Sequence, residues 1–374
     1  MKIAITHDWL TNFGGGENVL RQMISAYPDA DVFSAIIRRD CAAQLETSGR
    51  VLESWLGHAP LARTRWQWYL LMLSYAFRSF DFGDYDLVLA SSYYAAHHVR
   101  AKRVLCYKHS PGRAVWGDGS YLAMHPSFPW FLKPLAVPQL KWFRRLDTRF
   151  SHAGRCDMVA NSSFCAAWAM NAYQRDDVGV LYPPVDIDRF IRIGQVSSRG
   201  RRTHKGYWMC WSRHAPQKRL DVIVEAAALM RQSVVLAGSG PATSGLKKLA
   251  AKLDAPVSFV GRVEDSTLDR LIADAKGFVF PAEEDFGIAP LEALAAGLPV
   301  VAYGSGGVCD WLEDAVGEKF KHQDGRDCAA AMLRQERKSF DTERARVISQ
   351  QFSIPRFQDG LKKAVDGVVN SSDR

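Results

Sequence analysis

Gly277-Phe278-Val279-Phe280-Pro281-Ala282-Glu283-Glu284-Asp285-Phe286-Gly287-Ile288-Ala289-Pro290-Leu291-Glu292-Ala293-Leu294-Ala295-Ala296-Gly297-Leu298-Pro299-Val300-Val301-Ala302 is the stretch on which the fold turns. Gly277–Pro281 reads as a buried strand that ends in an acidic, glycine-containing loop. A helical segment rich in alanine and leucine follows, and Pro299–Ala302 is a second apolar run. Strand, crossover helix, strand is the repeating unit of a parallel sheet covered by helices.

The same alternation extends in both directions. Toward the N-terminus the pattern predicts strands at Val257–Val260, Ser233–Ala237 and Tyr207–Ser212, with a helix of period 3.6 over Lys218–Arg231. A further set, Lys2–Thr6, Asp31–Ile36, Asp86–Ala90, Arg103–Tyr107, Asp157–Asn161 and Val178–Tyr182, forms a first doubly wound unit with helices such as Glu17–Ala26 and Ser163–Ala172. Tyr182-Pro183-Pro184 breaks the pattern, and Ser197 to Lys205 is polar and basic without apolar period. The expected organisation is therefore a Rossmann-like α/β domain over 1–184, a linker over 185–206, a second Rossmann-like domain over 207–350, and a C-terminal segment over 351–374. Within that last segment Phe352 to Val369 is amphipathic and free to cross back to the first domain.

Composition agrees with two folded domains. The chain has 374 residues, 47% hydrophobic and 24% charged, beyond the ~250–300 residues at which one core stops growing. Its longest nearly uncharged N-terminal stretch, Trp66 to Phe77, falls short of the ~20 residues that span a bilayer. Met1 to Thr6 is too short for the apolar core of a signal peptide. The seven cysteines are scattered and never in C-x-x-C, as in reduced structural thiols. A cytoplasmic protein is expected. Lys plus Arg exceed Asp plus Glu by 48 to 40, a net +8, so the surface should attract anions: nucleic acid, an anionic membrane face or a phosphorylated small molecule.

Three motifs bear on that choice. Phe13-Gly14-Gly15-Gly16-Glu17 follows the first strand and opens a helix, which lets backbone N–H groups face a phosphate; a tight strand-to-helix turn is the plainer reading. Ser212-Arg213-His214-Ala215-Pro216-Gln217-Lys218-Arg219 sits at the matching point of the second unit, where Arg213 and Lys218 can converge on a diphosphate and neutralise a leaving group. In the opening stretch, Glu284 and Glu292 are separated by seven residues. Glu292 interrupts an apolar run, so its carboxylate needs a partner, which a sugar hydroxyl would supply. Phe286-Gly287-Ile288 offers backbone N–H groups at a helix N-terminus.

Glu284 through Glu292 resembles the Glu-x7-Glu motif of the retaining nucleotide-sugar glycosyltransferases of family 4, and Pro290–Ala302 continues as that family does. Arg213 and Lys218 are similar to its donor-diphosphate pair, Gly15-Gly16-Glu17 to its N-terminal glycine loop, and Tyr182–Phe190 to its interdomain junction. The resemblance covers nearly the whole chain. It implies the GT-B fold, two Rossmann-like doubly wound domains facing a cleft, the first binding the acceptor and the second the donor. His7-Asp8-Trp9-Leu10-Thr11 and Tyr107–Trp116 resemble a branch that builds bacterial surface polysaccharides, often as mannosyltransferases. Gly14, Asn18, Lys108 and Ser110 depart from that branch, at the acceptor or sugar end.

Carried over residue by residue, the resemblance implies that His109 contacts the donor sugar and Glu284 holds its ring, the pair forming the catalytic set. Glu292 would bind the ribose, Arg262 and Val263 would flank the base, and Phe286, Gly287 and Ile288 would offer amides to sugar and phosphate. Gly15, Gly16, Arg213 and Lys218 would hold the diphosphate, with Asp8 and Arg113 on the acceptor side. The implied reaction is metal-independent transfer of a hexose with retention, led by GDP-mannose, to a polyprenyl-diphosphate-linked saccharide in exopolysaccharide or lipopolysaccharide assembly; a UDP-sugar is the alternative donor. No cofactor is expected. Asp84-Tyr85-Asp86 and Asp186-Ile187-Asp188 read as turn and cap residues rather than metal ligands. His97-His98 reads as an ordinary loop or helix pair, with a site role near the strand end as the alternative.

Leu61 to Leu73 and Phe128 to Phe150 mix Trp and Phe with Lys and Arg, as segments at an anionic membrane surface do; helices packed on the core are the alternative. A same-fold epimerase or phosphorylase, a donor-binding protein without catalysis, and a basic nucleic-acid-binding protein are the rivals. The last lacks any RNA-binding aromatic motif or zinc finger, so no nucleic-acid partner is expected.

Overall fold

Two parallel sheets organise the computed structural model, which describes residues 1–117, 133–152, 154–199 and 206–371. The first contains β1 Ile3–His7, β2 Asp31–Ser34, β3 Val51–Glu53, β4 Leu87–Ser92, β5 Val104–Lys108, β6 Asp157–Ala160 and β7 Val178–Val180. Their order is β3-β2-β1-β4-β5-β6-β7, with every pairing parallel. β1, β4 and β5 are buried at each position, because helices cover both faces and no position meets water.

On one face lies the helix Gly15–Ala26, with Val19, Leu20, Met23 and Ile24 buried. The C-terminal helix Ile354–Ser371 joins it, burying Phe357, Leu361, Val365 and Val368 in the same cluster as Leu87, Leu89 and Leu105. That spacing of four, four and three residues puts one stripe on the sheet, and each such side chain contributes roughly 1.5–3 kcal/mol of burial. Phe357 meets the Tyr107 ring edge-on at 5.7 Å, and Gln358 bonds Gln22 and Ser25. The last helix therefore belongs to the first unit, residues 1–184 and 355–374, while 185–354 form the second.

The second sheet contains β8 Trp208–Trp211, β9 Val234–Ala237, β10 Val257–Gly261, β11 Gly277–Phe280, β12 Val300–Tyr303 and β13 Gly317–Phe320, ordered β10-β9-β8-β11-β12-β13 and parallel throughout. The helix Leu220–Met230 buries Val222, Ile223, Val224, Ala226 and Ala227. It packs on Gly325–Glu336 so closely that a Cβ on Gly325 would lie 2.3 Å from that of Glu225. Asp324 caps the latter helix through the N–H groups of Arg326 and Asp327, each at 2.9 Å.

The expected linker over 185–206 is corrected. Ile187–Arg199 is a helix of the second unit, with Ile187, Phe190 and Ile193 buried and Arg189 bonded to Asp265 at 2.9 Å and Asp269 at 2.6 Å. Asp186 accepts the Arg189 N–H at 3.2 Å, a helix-start role. The three-residue spacing of those apolar side chains carried the helix signal, which the prolines before it and the basic run after it obscured. Residues 200–205 of that run lie outside the described residues, as do 128–132 of the second aromatic, basic segment. β3 and β13 were also absent from the sequence reading. Both are short edge strands without a strong apolar run.

Candidate functional site

In each sheet the chain leaves a central strand in opposite directions, between β1 and β4 in the first unit and between β8 and β11 in the second. The carboxyl ends of those strands are where ligands bind in open α/β sheets. In the second unit, β8 runs into Ser212–Lys218. This turn is held from β9: His214 N–H donates to Ser239 O at 3.0 Å, Ala242 N–H to His214 O at 2.9 Å, and His214 Nδ1 lies 3.0 Å from Thr243 Oγ1. Gly238, at φ 116°, permits the approach, since a Cβ there would stand 1.9 Å from Ser212 O. Sequence reading missed Gly238-Ser239-Gly240, although its glycines directly follow a strand.

Lys218 closes a short 3₁₀ turn, and its Nζ lies 2.6 Å from Glu284 Oε1, with the two side chains 23% and 26% exposed. The structure thus brings together a cation and a carboxylate read from segments 66 residues apart. Arg213 is exposed, with no side-chain partner among the described residues. Glu284 is fixed through its backbone. Gly307 N–H donates to Glu284 O at 2.9 Å, and a Cβ on Gly306, φ 91°, would meet that oxygen at 2.4 Å. Ser305 Oγ bonds Glu283 Oε2 at 2.6 Å. Gly304-Ser305-Gly306-Gly307 is a second supporting loop that sequence reading passed over.

Phe286 points into the core against Phe352, ring centroids 5.3 Å apart. Gly287, at φ 89°, starts the helix Ile288–Ala295 without a side-chain cap, so first-turn N–H groups around Ile288 are open to an anion. Glu292 has a partner within the protein, a correction to the expectation that a sugar must supply one: Trp211 Nε1–H donates to its Oε2 at 3.0 Å. Burial pushes the Glu292 carboxyl up, opposed by the Trp211 bond and by Arg189. Arg262 is exposed and Val263 half-buried. They follow β10 at the sheet edge, and no hydrogen bond or ion pair among the described residues joins them to the Lys218–Glu284 pair.

In the first unit Asp8 is reassigned. It is fully buried, and its two oxygens accept the backbone N–H groups of Tyr93, Tyr94, Ala95 and Ala96 at 2.5, 2.9, 2.7 and 2.8 Å. All its strong acceptor positions are committed to the turn after β4, so it cannot serve an acceptor substrate directly. That turn presents Tyr93, whose ring stacks on His109 at 4.4 Å. Gly16 lies beneath it, and a Cβ there would come 2.9 Å from the Tyr93 hydroxyl. Gly15 opens the helix on which Glu17 is buried. His109 Nε2 lies 2.8 Å from Ser91 Oγ; burial, with His7 and Lys108 nearby, holds its imidazole well below the ordinary range. Arg113 places its guanidinium 5.4 Å over Trp168.

His97 and His98 are more than an ordinary loop pair. With Asp147 they make the one group of three buried metal-type side chains among the described residues. Asp147 accepts from His98 at 3.0 Å, Trp116 at 2.6 Å and Tyr173 at 3.1 Å, with His97 3.2 Å away. Lys108 is buried beside them, 5.4 Å over the Tyr173 ring, and its positive charge helps to hold the Asp147 carboxyl well below its ordinary range. Positive charge is already supplied there, so the group is a neutralised structural network that fixes the helix Lys133–Phe150 to the sheet.

Two Rossmann-like sheets with loops converging at their switch points define the GT-B class of α/β proteins. Solved structures agree on the fold: sucrose-phosphate synthase from Thermosynechococcus elongatus (16% identity, TM-score 0.73, 99% of this chain and 100% of that chain) and Anabaena HepE in complex with UDP (19%, 0.70, 98% and 100%). Family models described as Glycosyltransferase Family 4 and Glycosyl transferases group 1 match residues 13–189 and 206–335. The chain belongs to glycosyltransferase family 4.

Among curated relatives, a GDP-mannose-dependent monoacylated alpha-(1-6)-phosphatidylinositol monomannoside mannosyltransferase of Corynebacterium glutamicum is 32% identical over 36% of this chain and 40% of its own. A D-inositol 3-phosphate glycosyltransferase of Streptomyces avermitilis is 29% identical over 75% of this chain and 59% of its own. The chain thus aligns with less than two thirds of the length of these relatives.

Proposed function

We propose that the protein is a glycosyltransferase that moves a hexose from a nucleoside-diphosphate sugar to an acceptor hydroxyl, with GDP-mannose as donor and a polyprenyl-diphosphate-linked saccharide of a bacterial surface polysaccharide as acceptor. The observation that carries this reading is the pairing of Lys218 with Glu284 at the switch point of the second sheet, five residues along the chain from the exposed Arg213. The GDP-mannose dependence of the Corynebacterium glutamicum relative supports the donor.

In this reading the bond from C1 to the donor phosphate breaks, the bond from C1 to the acceptor oxygen forms, and the acceptor proton passes to the departing phosphate oxygen. Arg213 and Lys218 neutralise the diphosphate as charge develops, in the place a divalent metal would otherwise take. Glu284 orients the sugar, and retention follows the family resemblance. Thermal shift with GDP, UDP and their sugars, in EDTA and then in Mg²⁺, tests it. GDP and GDP-mannose at ~100 times Kd should stabilise by about 2.7 kcal/mol in EDTA. Stabilisation by UDP alone would change the donor, and none by any nucleotide would overturn the reading.

The proposal extends to an anionic membrane face. Trp68 is 52% and Tyr75 49% exposed, Tyr75 stacks on Trp142 at 5.7 Å, and Arg65 and Arg78 lie over the Trp68 and Tyr75 rings. Aromatic side chains with interleaved guanidinium groups suit a lipid interface, and no described helix is long and apolar enough to cross a bilayer. Flotation with anionic vesicles should recover the protein at low salt and release it at high salt; no recovery at low salt counts against membrane contact.

A further inference from the structure

His7 ends β1, and Ser91 is its register partner on the neighbouring strand β4. His109 follows β5 directly, with Tyr107 in register with Ser91. Parallel pairing therefore sets three polar side chains in a row across adjacent strands: His7 Nδ1 lies 2.9 Å from Ser91 Oγ, and Ser91 Oγ lies 2.8 Å from His109 Nε2. All three residues are buried. At the far end Glu17 Oε1 faces His7 Nε2 at 3.8 Å, while Glu17 Oε2 accepts the Gly14 N–H at 3.0 Å. His109 Nδ1 has no hydrogen-bond partner among the described residues.

A neutral imidazole donates from one nitrogen and accepts at the other, and a hydroxyl has one proton to give. A carboxylate has none, and at 3.8 Å, beyond hydrogen-bond length, Glu17 sets the direction of the row by its charge on a neutral His7. With the proton of His7 on Nε2, facing Glu17, Nδ1 is a lone pair that accepts from the Ser91 hydroxyl. Ser91 Oγ must then accept from His109 Nε2–H. The opposite polarity would aim the bare Nε2 of His7 at the Glu17 carboxylate in a buried setting, setting lone pair against negative charge.

We propose that Glu17, His7 and Ser91 are positioning residues that hold His109 as its Nε2–H tautomer, so that Nδ1 is a hydrogen-bond acceptor for a hydroxyl of the saccharide substrate. The tautomer follows from Glu17 and a neutral His7; the owner of the hydroxyl rests on the glycosyl-transfer reading. The consequence is specificity for a substrate position that can donate. An analogue with hydrogen or fluorine in place of that hydroxyl leaves Nδ1 unpaired.

The test is a long-range ¹H–¹⁵N correlation spectrum of the full chain labelled with ¹⁵N-histidine, His109 being assigned by its loss in His109→Gln. The wild type should show a protonated Nε2 and a bare Nδ1. Ser91→Thr keeps the hydroxyl and the pattern, whereas Ser91→Ala releases the constraint and populates both tautomers. Glu17→Gln is decisive, because its amide N–H can face His7 Nε2, reverse the row and move the His109 proton to Nδ1. A wild-type Nδ1–H, or a Glu17→Gln spectrum identical to wild type, overturns the proposal. In transfer assays Ser91→Ala and Glu17→Gln should lose about tenfold in kcat/KM, as expected for one hydrogen bond, with nucleotide Kd unchanged and Ser91→Thr restored. The stated tautomer pattern without transfer to any saccharide would uphold the row and reject the functional reading.

Discussion

Lys218→Met is expected to lower kcat/KM for sugar transfer by about a thousandfold and to weaken nucleoside diphosphate binding by roughly 10–100-fold, while the melting temperature stays within about 3 °C of wild type. The small stability effect follows from exposure. Lys218 and Glu284 are about one quarter exposed and paired at 2.6 Å, and a pair in contact with water contributes at most about 1 kcal/mol. The large functional effect follows from where the charge is aimed. In the proposed reaction a cation at the strand end would meet negative charge that grows on the diphosphate as the sugar leaves, so its loss should be felt more in the transition state than in the bound donor.

Glu284→Gln separates this from a merely structural pair. With its carboxylate removed, Lys218 loses its internal counterion and is free for the diphosphate, so nucleotide affinity should hold or rise a few-fold while transfer falls by about a hundredfold. Calorimetry with the nucleoside diphosphate beside single-turnover transfer distinguishes the two variants. A Lys218→Met protein that binds nucleotide as tightly as wild type would remove Lys218 from the donor site.

The Lys218–Glu284 neighbourhood of the candidate site was legible because β11, the loop with Glu284 and the helix with Glu292 are consecutive in the chain. Period and composition also revealed β1, β4, β5, β8 and β9 to within about two residues, since buried parallel strands are apolar throughout. What escaped depends on contacts between distant segments. Nothing local to Asp8 tells that four N–H groups 85 to 88 residues away converge on it. Trp211 as the partner of Glu292, 81 residues on, is equally invisible, as is the Asp147 network. The helix Ile187–Arg199 was missed for another reason: its apolar stripe was present, but prolines and a basic run outweighed it.

Asp8→Ala is expected to cost about 3–5 kcal/mol, and Asp8→Asn nearly as much, lowering the melting temperature of the first unit by roughly 10 °C or more. Each of the four N–H groups that Asp8 accepts would otherwise be left in a buried turn, where an unpaired donor costs about 1–3 kcal/mol before any water enters to offset it. Asparagine is the informative change because it keeps the shape. Its carbonyl oxygen can satisfy one pair of donors, but its amide N–H₂ then opposes the other pair, donor against donor. An acid whose task was to meet an acceptor hydroxyl would behave differently: Asp8→Asn would melt like wild type and lose only turnover. Thermal denaturation of both variants, with hydrogen exchange read at Tyr93 to Ala96, decides between these roles. Faster exchange at those amides with a lowered melting temperature establishes Asp8 as the residue that builds the turn. Because the same turn carries Tyr93 onto the His109 ring at 4.4 Å, its loosening should also release that stack, so a fall in transfer would accompany the instability. An Asp8→Asn protein with wild-type melting and exchange would return Asp8 to the acceptor side.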